Sequence, residues 1–170
     1  MLKWRDVVSY EDRRVVFDST RKGGWPERGY SMFVRQCMEK TMVTCQPNAS
    51  LQEVSRKMKD YEVGSVLIVD EGWKLRGIVT DRDVALAIGT DSKNPASTFA
   101  CDIMTADPLT IDFEADLNSA IRVMNRSHVR RLPVTEHGKL VGLLSSSDVA
   151  RAIHTEFDEF LGIEESYIKH

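Results

Sequence analysis

The 170-residue chain repeats itself. Shifted by 66 residues, the run from Met38 to Gly72 lies over Met104 to Gly138. Thr44 then meets Thr110, Ala49 meets Ala115, Leu51 meets Leu117, Met58 meets Met124 and Val63 meets Val129. With one residue dropped at Trp73 the shift becomes 65. Lys74-Leu75 now matches Lys139-Leu140, Gly77 matches Gly142, and Asp83-Val84-Ala85 matches Asp148-Val149-Ala150. Chance does not hold one register over so long a run with a single gap, so the chain carries two homologous halves.

Each half follows the same order. A short extended piece, 42–44 or 109–111, leads into an amphipathic helix. The first helix opens on the capping pattern Ser50-Leu51-Gln52-Glu53, with Leu51, Val54 and Met58 on one face. The second is capped by Asp116 and carries Leu117, Ala120, Ile121 and Met124 as its stripe. A strand follows (65–69 or 132–135), then a turn at Gly72 or Gly138, a second strand (75–80 or 140–145) and a last helix after Asp83 or Asp148. Met58 and Met124 are core residues, since methionine commonly fills gaps there.

Residues 1–33 form an extension that matches nothing in the second half. Residues 34–92 are the first repeat, 93–99 a linker, 100–157 the second repeat and 158–170 a tail. The extension holds Trp4, Trp25, Val7-Val8 and Val15-Val16-Phe17, more apolar area than disordered segments usually carry, so it is expected to pack as an ordered arm.

The balance of charge narrows the function. Twenty-three Lys and Arg against 26 Asp and Glu give a net charge of −3, without the basic footprint of a dedicated nucleic-acid binder. No apolar run approaches the roughly 18 residues that cross a bilayer, and Met1-Leu2-Lys3-Trp4-Arg5-Asp6 is no signal peptide. Cys37, Cys45 and Cys101 are an odd set with no Cys-x-x-Cys, which fits reduced thiols and a cytoplasmic location. The four histidines lack metal-ligand spacing, so no metal site is expected. No nucleophile–base set or glycine-rich phosphate loop appears, and no catalytic residue is assigned.

Two segments carry the most specific information: Gly77-Ile78-Val79-Thr80-Asp81-Arg82-Asp83 and Gly142-Leu143-Leu144-Ser145-Ser146-Ser147-Asp148. Each reads Gly, two apolar residues, Thr or Ser, any two, Asp. With Val129-Arg130-Arg131-Leu132-Pro133-Val134 and Ile103-Met104-Thr105 in support, residues 34–155 resemble a tandem pair of CBS (cystathionine beta-synthase type) domains, or Bateman module. The resemblance implies an α+β fold of two β-α-β-β-α repeats packed about a pseudo-twofold axis with two clefts between them. It further implies a regulatory module that is not an enzyme, that takes an adenosine-containing ligand and that pairs as a homodimer.

The residues show how such a ligand could be held. Thr80 and Ser145 stand where a strand becomes a helix, and a helix N-terminus suits phosphate. Asp83 and Asp148 can accept both hydroxyls of a ribose, as an acidic residue does in dinucleotide folds. Adenine is expected against Val63-Gly64 and Val129-Arg130, with Thr44 and Thr110 lining the clefts and Pro133 in the adjoining strand. The guanidinium groups of Arg130 and Arg131 suit phosphate. Thr-x-x-Asp and Ser-x-x-Asp are equally capping boxes, and local chemistry alone leaves the two readings level.

Only the second repeat carries arginines at its strand start, so the Asp148 cleft is expected to bind phosphate more tightly. Were Arg130 or Arg131 to cross the pseudo-twofold, the order would reverse. AMP leads the candidate ligands, with ADP, ATP and NAD beside it; S-adenosylmethionine binding or association with nucleic acid is the alternative. A protein target downstream is expected and unnamed. The final helix continues an apolar stripe through Val149, Ile153, Phe157 and Phe160, which marks an interface between two copies.

Overall fold

The computed structural model describes residues 7–9 and 32–168, and for 7–9 and 159–168 the backbone alone. Among these residues the chain is mixed α and β, with two sheets and five helices. The first sheet runs β1 (Val7–Ser9), β2 (Thr41–Cys45), β3 (Ser65–Val69), β4 (Leu75–Thr80), β5 (Thr105–Ala106). The second runs β6 (Ile111–Asp112), β7 (Arg131–Glu136), β8 (Lys139–Ser145). The helices are α1 (Val34–Cys37), α2 (Leu51–Asp60), α3 (Asp81–Gly89), α4 (Leu117–Ser127) and α5 (Ser146–Ile168). This is the expected α+β order, with boundaries shifted by a residue or two; the opening strand of the second half, for instance, lies at 111–112 rather than 109–111.

Within each repeat a parallel pair joins an antiparallel hairpin. Thr44 pairs with Leu67 across β2 and β3, and Ser65 with Thr80 across β3 and β4. Ile111 pairs likewise with Val134, and Arg131 with Ser145. Every residue of β3 is buried, because its run of Val, Leu, Ile and Val is covered on both faces. Val66 and Ile68 face the core of the first repeat, which Met58 also contacts. Leu67 joins Met42 and Ile78 against Leu140 and Leu143 of the other sheet. Met124 lies in the core of the second repeat.

The segment leading into each repeat docks on the other one. Val34 and Met38 lie in the core of the second repeat, whereas Ala100 lies in that of the first. The hydrogen bonds repeat the exchange. Leu117 N–H, at the start of α4, donates to Met32 O at 2.7 Å, and Leu51 N–H, at the start of α2, donates to Thr98 O at 2.9 Å. Val34 N–H donates to Ala115 O at 2.9 Å, and Ala100 N–H to Ala49 O at 2.8 Å. The first N–H groups of a helix have no partner inside it, and here the segment leading into the neighbouring repeat supplies the acceptors. The linker region is therefore part of the joint.

From the extension, Val7–Ser9 adds an edge strand to β2 in the register Val7 to Val43 and Ser9 to Thr41. Trp4, Arg13-Arg14, Val15-Val16-Phe17 and Trp25 lie outside the described residues. Among the described residues no helix is long and apolar enough to cross a membrane.

Candidate functional site

Both capping boxes form. Thr80, extended at φ −107°, donates its N–H to Asp83 Oδ2 at 2.8 Å and its hydroxyl to the same oxygen at 2.7 Å. Asp83 N–H donates back to Thr80 Oγ1 at 3.3 Å. Ser145 and Asp148 repeat the pattern, with Ser145 N–H on Oδ2 at 2.9 Å, the hydroxyl at 2.5 Å and a return bond of 3.2 Å. The two carboxylates differ at their second oxygen. Asp148 Oδ1 accepts from Arg151 Nη2 at 3.0 Å. No hydrogen bond or ion pair reaches Asp83 Oδ1 among the described residues.

The strand starts meet these helix ends. Asp81 N–H donates to Gly64 O at 3.2 Å, and Ser146 N–H donates to Arg130 O at 2.9 Å. Val63 and Val129 are half-buried, and their N–H groups go to Met58 O at 2.9 Å and Met124 O at 3.1 Å. Those two amides serve the preceding helix ends.

Arg131 crosses between the repeats. A β-carbon on Gly64 would lie 2.7 Å from Arg131 Nη2 and 3.3 Å from Asp81 Oδ2. The guanidinium of the second repeat thus rests over the strand start of the first, in space that only glycine leaves open. The geometry follows the crossing alternative rather than an arginine confined to the Asp148 cleft. Its counterpart by sequence, Ser65, is short and buried and sends nothing comparable the other way. Arg130 is exposed.

The remaining candidates are dispersed. Thr44 is buried in β2, its carbonyl accepting from Lys57 Nζ at 2.9 Å. It lines a cavity of about 710 Å³ with Gln46, Glu53 and Trp73, which includes Val69, the far end of β3 from Gly64 and Thr80. Thr110 is exposed in the loop before β6, and Pro133 is fully buried in β7. Asp148 lines a cavity of about 310 Å³ with Gln36, Cys37, Arg151, Thr155 and Glu156. Burial pushes the Cys37 thiol above its ordinary pKa, and the carboxylates of Asp148 and Glu156 add to the rise. Cys37, Cys45 and Cys101 form no disulfide, and among the described residues no cluster of His, Cys, Asp and Glu could hold a metal.

Sequence reasoning missed Arg151 and the approach of both Arg131 and Asp81 to Gly64. Arg151 had a readable signal: it stands three residues beyond Asp148, where the first repeat has Leu86 after Asp83. No local pattern could have placed Arg131 over Gly64, because that contact depends on how the two halves face each other.

The family model described as CBS domain matches residues 34–90 and 100–155. An uncharacterized protein, YlbB of Bacillus subtilis, is 34% identical over 123 residues, covering 72% of this chain and 82% of that protein. Uncharacterized protein MK0525 of Methanopyrus kandleri is 32% identical over 120 residues, or 70% of this chain, which spans 61% of that protein's length. Among solved structures, the CBS domain pair of protein MJ0100, in complex with 5′-methylthioadenosine and S-adenosyl-L-methionine, superposes with a TM-score of 0.68 at 24% identity. That match covers 75% of this chain and 99% of the other. The CBS-pair protein CBSX2 of Arabidopsis thaliana matches with the same TM-score and identity over 76% and 99%.

Proposed function

The chain belongs to the CBS domain family, and from that premise we propose that it is a regulatory module binding an adenosine-containing ligand between its two repeats. The observation that carries this is the meeting of three groups at one place. Asp83 offers an oxygen with no partner among the described residues, α3 presents its N-terminus, and Arg131 of the opposite repeat lies over Gly64 beside them. A ribose hydroxyl can donate to Asp83 Oδ1 while the capping bonds on Oδ2 hold the carboxylate in place. A phosphate beside the N-terminus of α3 accepts from Arg131 and sits at the positive end of the helix dipole. Asp81 Oδ2 also lies near Gly64, so the guanidinium of Arg131 has two anions to offset when a phosphate binds.

AMP fits this arrangement best because one phosphate suffices for Arg131; ADP, ATP and NAD share its adenosine. The MJ0100 CBS pair, of the same fold, is in complex with adenosine compounds that carry no phosphate, which keeps S-adenosylmethionine as the second reading. Ligand binding without turnover is the role proposed, in a cytoplasmic protein that signals to a protein target.

Calorimetry with AMP, ATP, NAD and S-adenosylmethionine tests the proposal. The expected dissociation constants are micromolar to millimolar, on the order of −4 to −8 kcal/mol. Asp83→Ala is expected to remove the binding. Silence from all four compounds on folded protein would overturn it.

A further inference from the structure

We infer that the second motif is latched: Arg151 occupies the oxygen of Asp148 that a ribose needs, so the Asp83 cleft is the one ready to bind. This rests on the adenosine-binding reading above. In both motifs the Oδ2 oxygen is consumed by the cap, through two bonds from Thr80 or from Ser145. What a ribose can use is Oδ1. At Asp83 that oxygen is open among the described residues; at Asp148 Arg151 holds it at 3.0 Å from the next turn of the same helix.

The difference is written in the sequence of the two last helices. Three residues beyond the motif aspartate the first repeat has Leu86, 46% exposed and unable to pair, and the second has Arg151. Glu156 lines the same cavity as Asp148, so an anionic ligand there would meet a second carboxylate, as it would meet Asp81 near Asp83. The guanidinium that could offset it, Arg131, is engaged across the axis at Gly64. A cap, a cavity and an aspartate are all present at the second motif, and the latch sets it apart.

Because Arg151 is largely exposed, its side chain 72% accessible, the latch is a weak one. An exposed pair of this kind contributes a few tenths of a kcal/mol to about 1 kcal/mol, which is a factor of about two to five in affinity. Release therefore tunes the second site and does not create it.

Calorimetric titration of the full chain with AMP reads this directly. The wild type is expected to show a binding event that Asp83→Ala removes and Asp148→Ala leaves intact. Arg151→Leu, which copies the first repeat, is expected to strengthen a second, weaker event by about two- to fivefold. Arg151→Lys, still able to pair, is expected to behave as wild type. If Arg151→Leu instead weakens binding, Arg151 is a ligand contact and the latch is wrong. If Asp148→Ala removes the wild-type event, the ready cleft has been misassigned.

The ligand-free chain separates this inference from the adenosine reading. In nuclear magnetic resonance, the Arg151 guanidinium protons are expected to exchange with water more slowly than those of exposed Arg82, a difference that Asp148→Asn abolishes. Equal exchange in the wild type would refute the latch whatever AMP does.

Discussion

Gly64 has no side chain, and that vacancy of volume is what lets one repeat reach the other. A β-carbon there would stand 2.7 Å from Arg131 Nη2, the far end of a flexible side chain, so a larger residue displaces the arginine and leaves the strand intact. Gly64→Leu is therefore expected to fold with near wild-type stability while losing affinity for AMP. A well-made charge-assisted hydrogen bond contributes about 1.5–3 kcal/mol, so the loss is about tenfold or more, matched by Arg131→Ala. Thermal melts and calorimetry on both variants check this, and full affinity in Gly64→Leu would contradict it. The motif residues themselves were legible from sequence: a glycine, a hydroxyl and an aspartate at fixed spacing, twice. Their local chemistry formed as capping boxes, the bland alternative, and both readings hold together because the cap uses one carboxylate oxygen and spares the other.

At the level of elements, the exchange of leading segments ties the repeats. Met38 packs against Gly142 and Met104 against Gly77, at equivalent places in the two halves. A β-carbon on Gly142 would lie 2.6 Å from Met38 Sδ and 2.9 Å from Glu39 O; on Gly77, it would press on Met104 Sδ and lie 3.0 Å from Thr105 O. The methionine can swing away but the backbone carbonyl cannot. Gly77→Ala and Gly142→Ala are each expected to cost about 1–3 kcal/mol by overpacking, seen as a lower denaturation midpoint. Unchanged midpoints would mean that the leading segments are loosely held. Helices and strands were legible because their periodicity is local: 65–69 and 75–80 appear at the residues expected. The exchange was not, since no local pattern says which half a segment joins. Phe33 and Phe99, one repeat apart, extend the match to the segments that swap, and each forms a bridge to the opposite repeat, Phe33 to Asp116 and Phe99 to Ser50.

For the whole molecule, the outer faces of the last helices remain apolar. Leu86 and Ile88 on α3 are 46% and 42% exposed, and Ile153 and Phe157 on α5 are 52% and 58%. Val149 does not share that stripe, being buried in the core of the second repeat, and the Phe160 side chain lies outside the described residues. Apolar surface of this kind in two equivalent helices fits pairing with a second copy. A homodimer is the expected state, with Ile153→Glu and Phe157→Glu together shifting it toward monomer. Light scattering that returned the 19.3 kDa monomer mass for wild type across the micromolar range would contradict the dimer.

Native mass spectrometry of the full chain tests the central claim, an adenosine ligand held between the repeats, most directly. Freshly purified wild type, or wild type with added AMP, is expected to carry the mass of an adenosine compound, and Asp83→Ala is expected to carry none. Folded wild-type protein that gains no mass from AMP, ATP, NAD or S-adenosylmethionine would contradict the account.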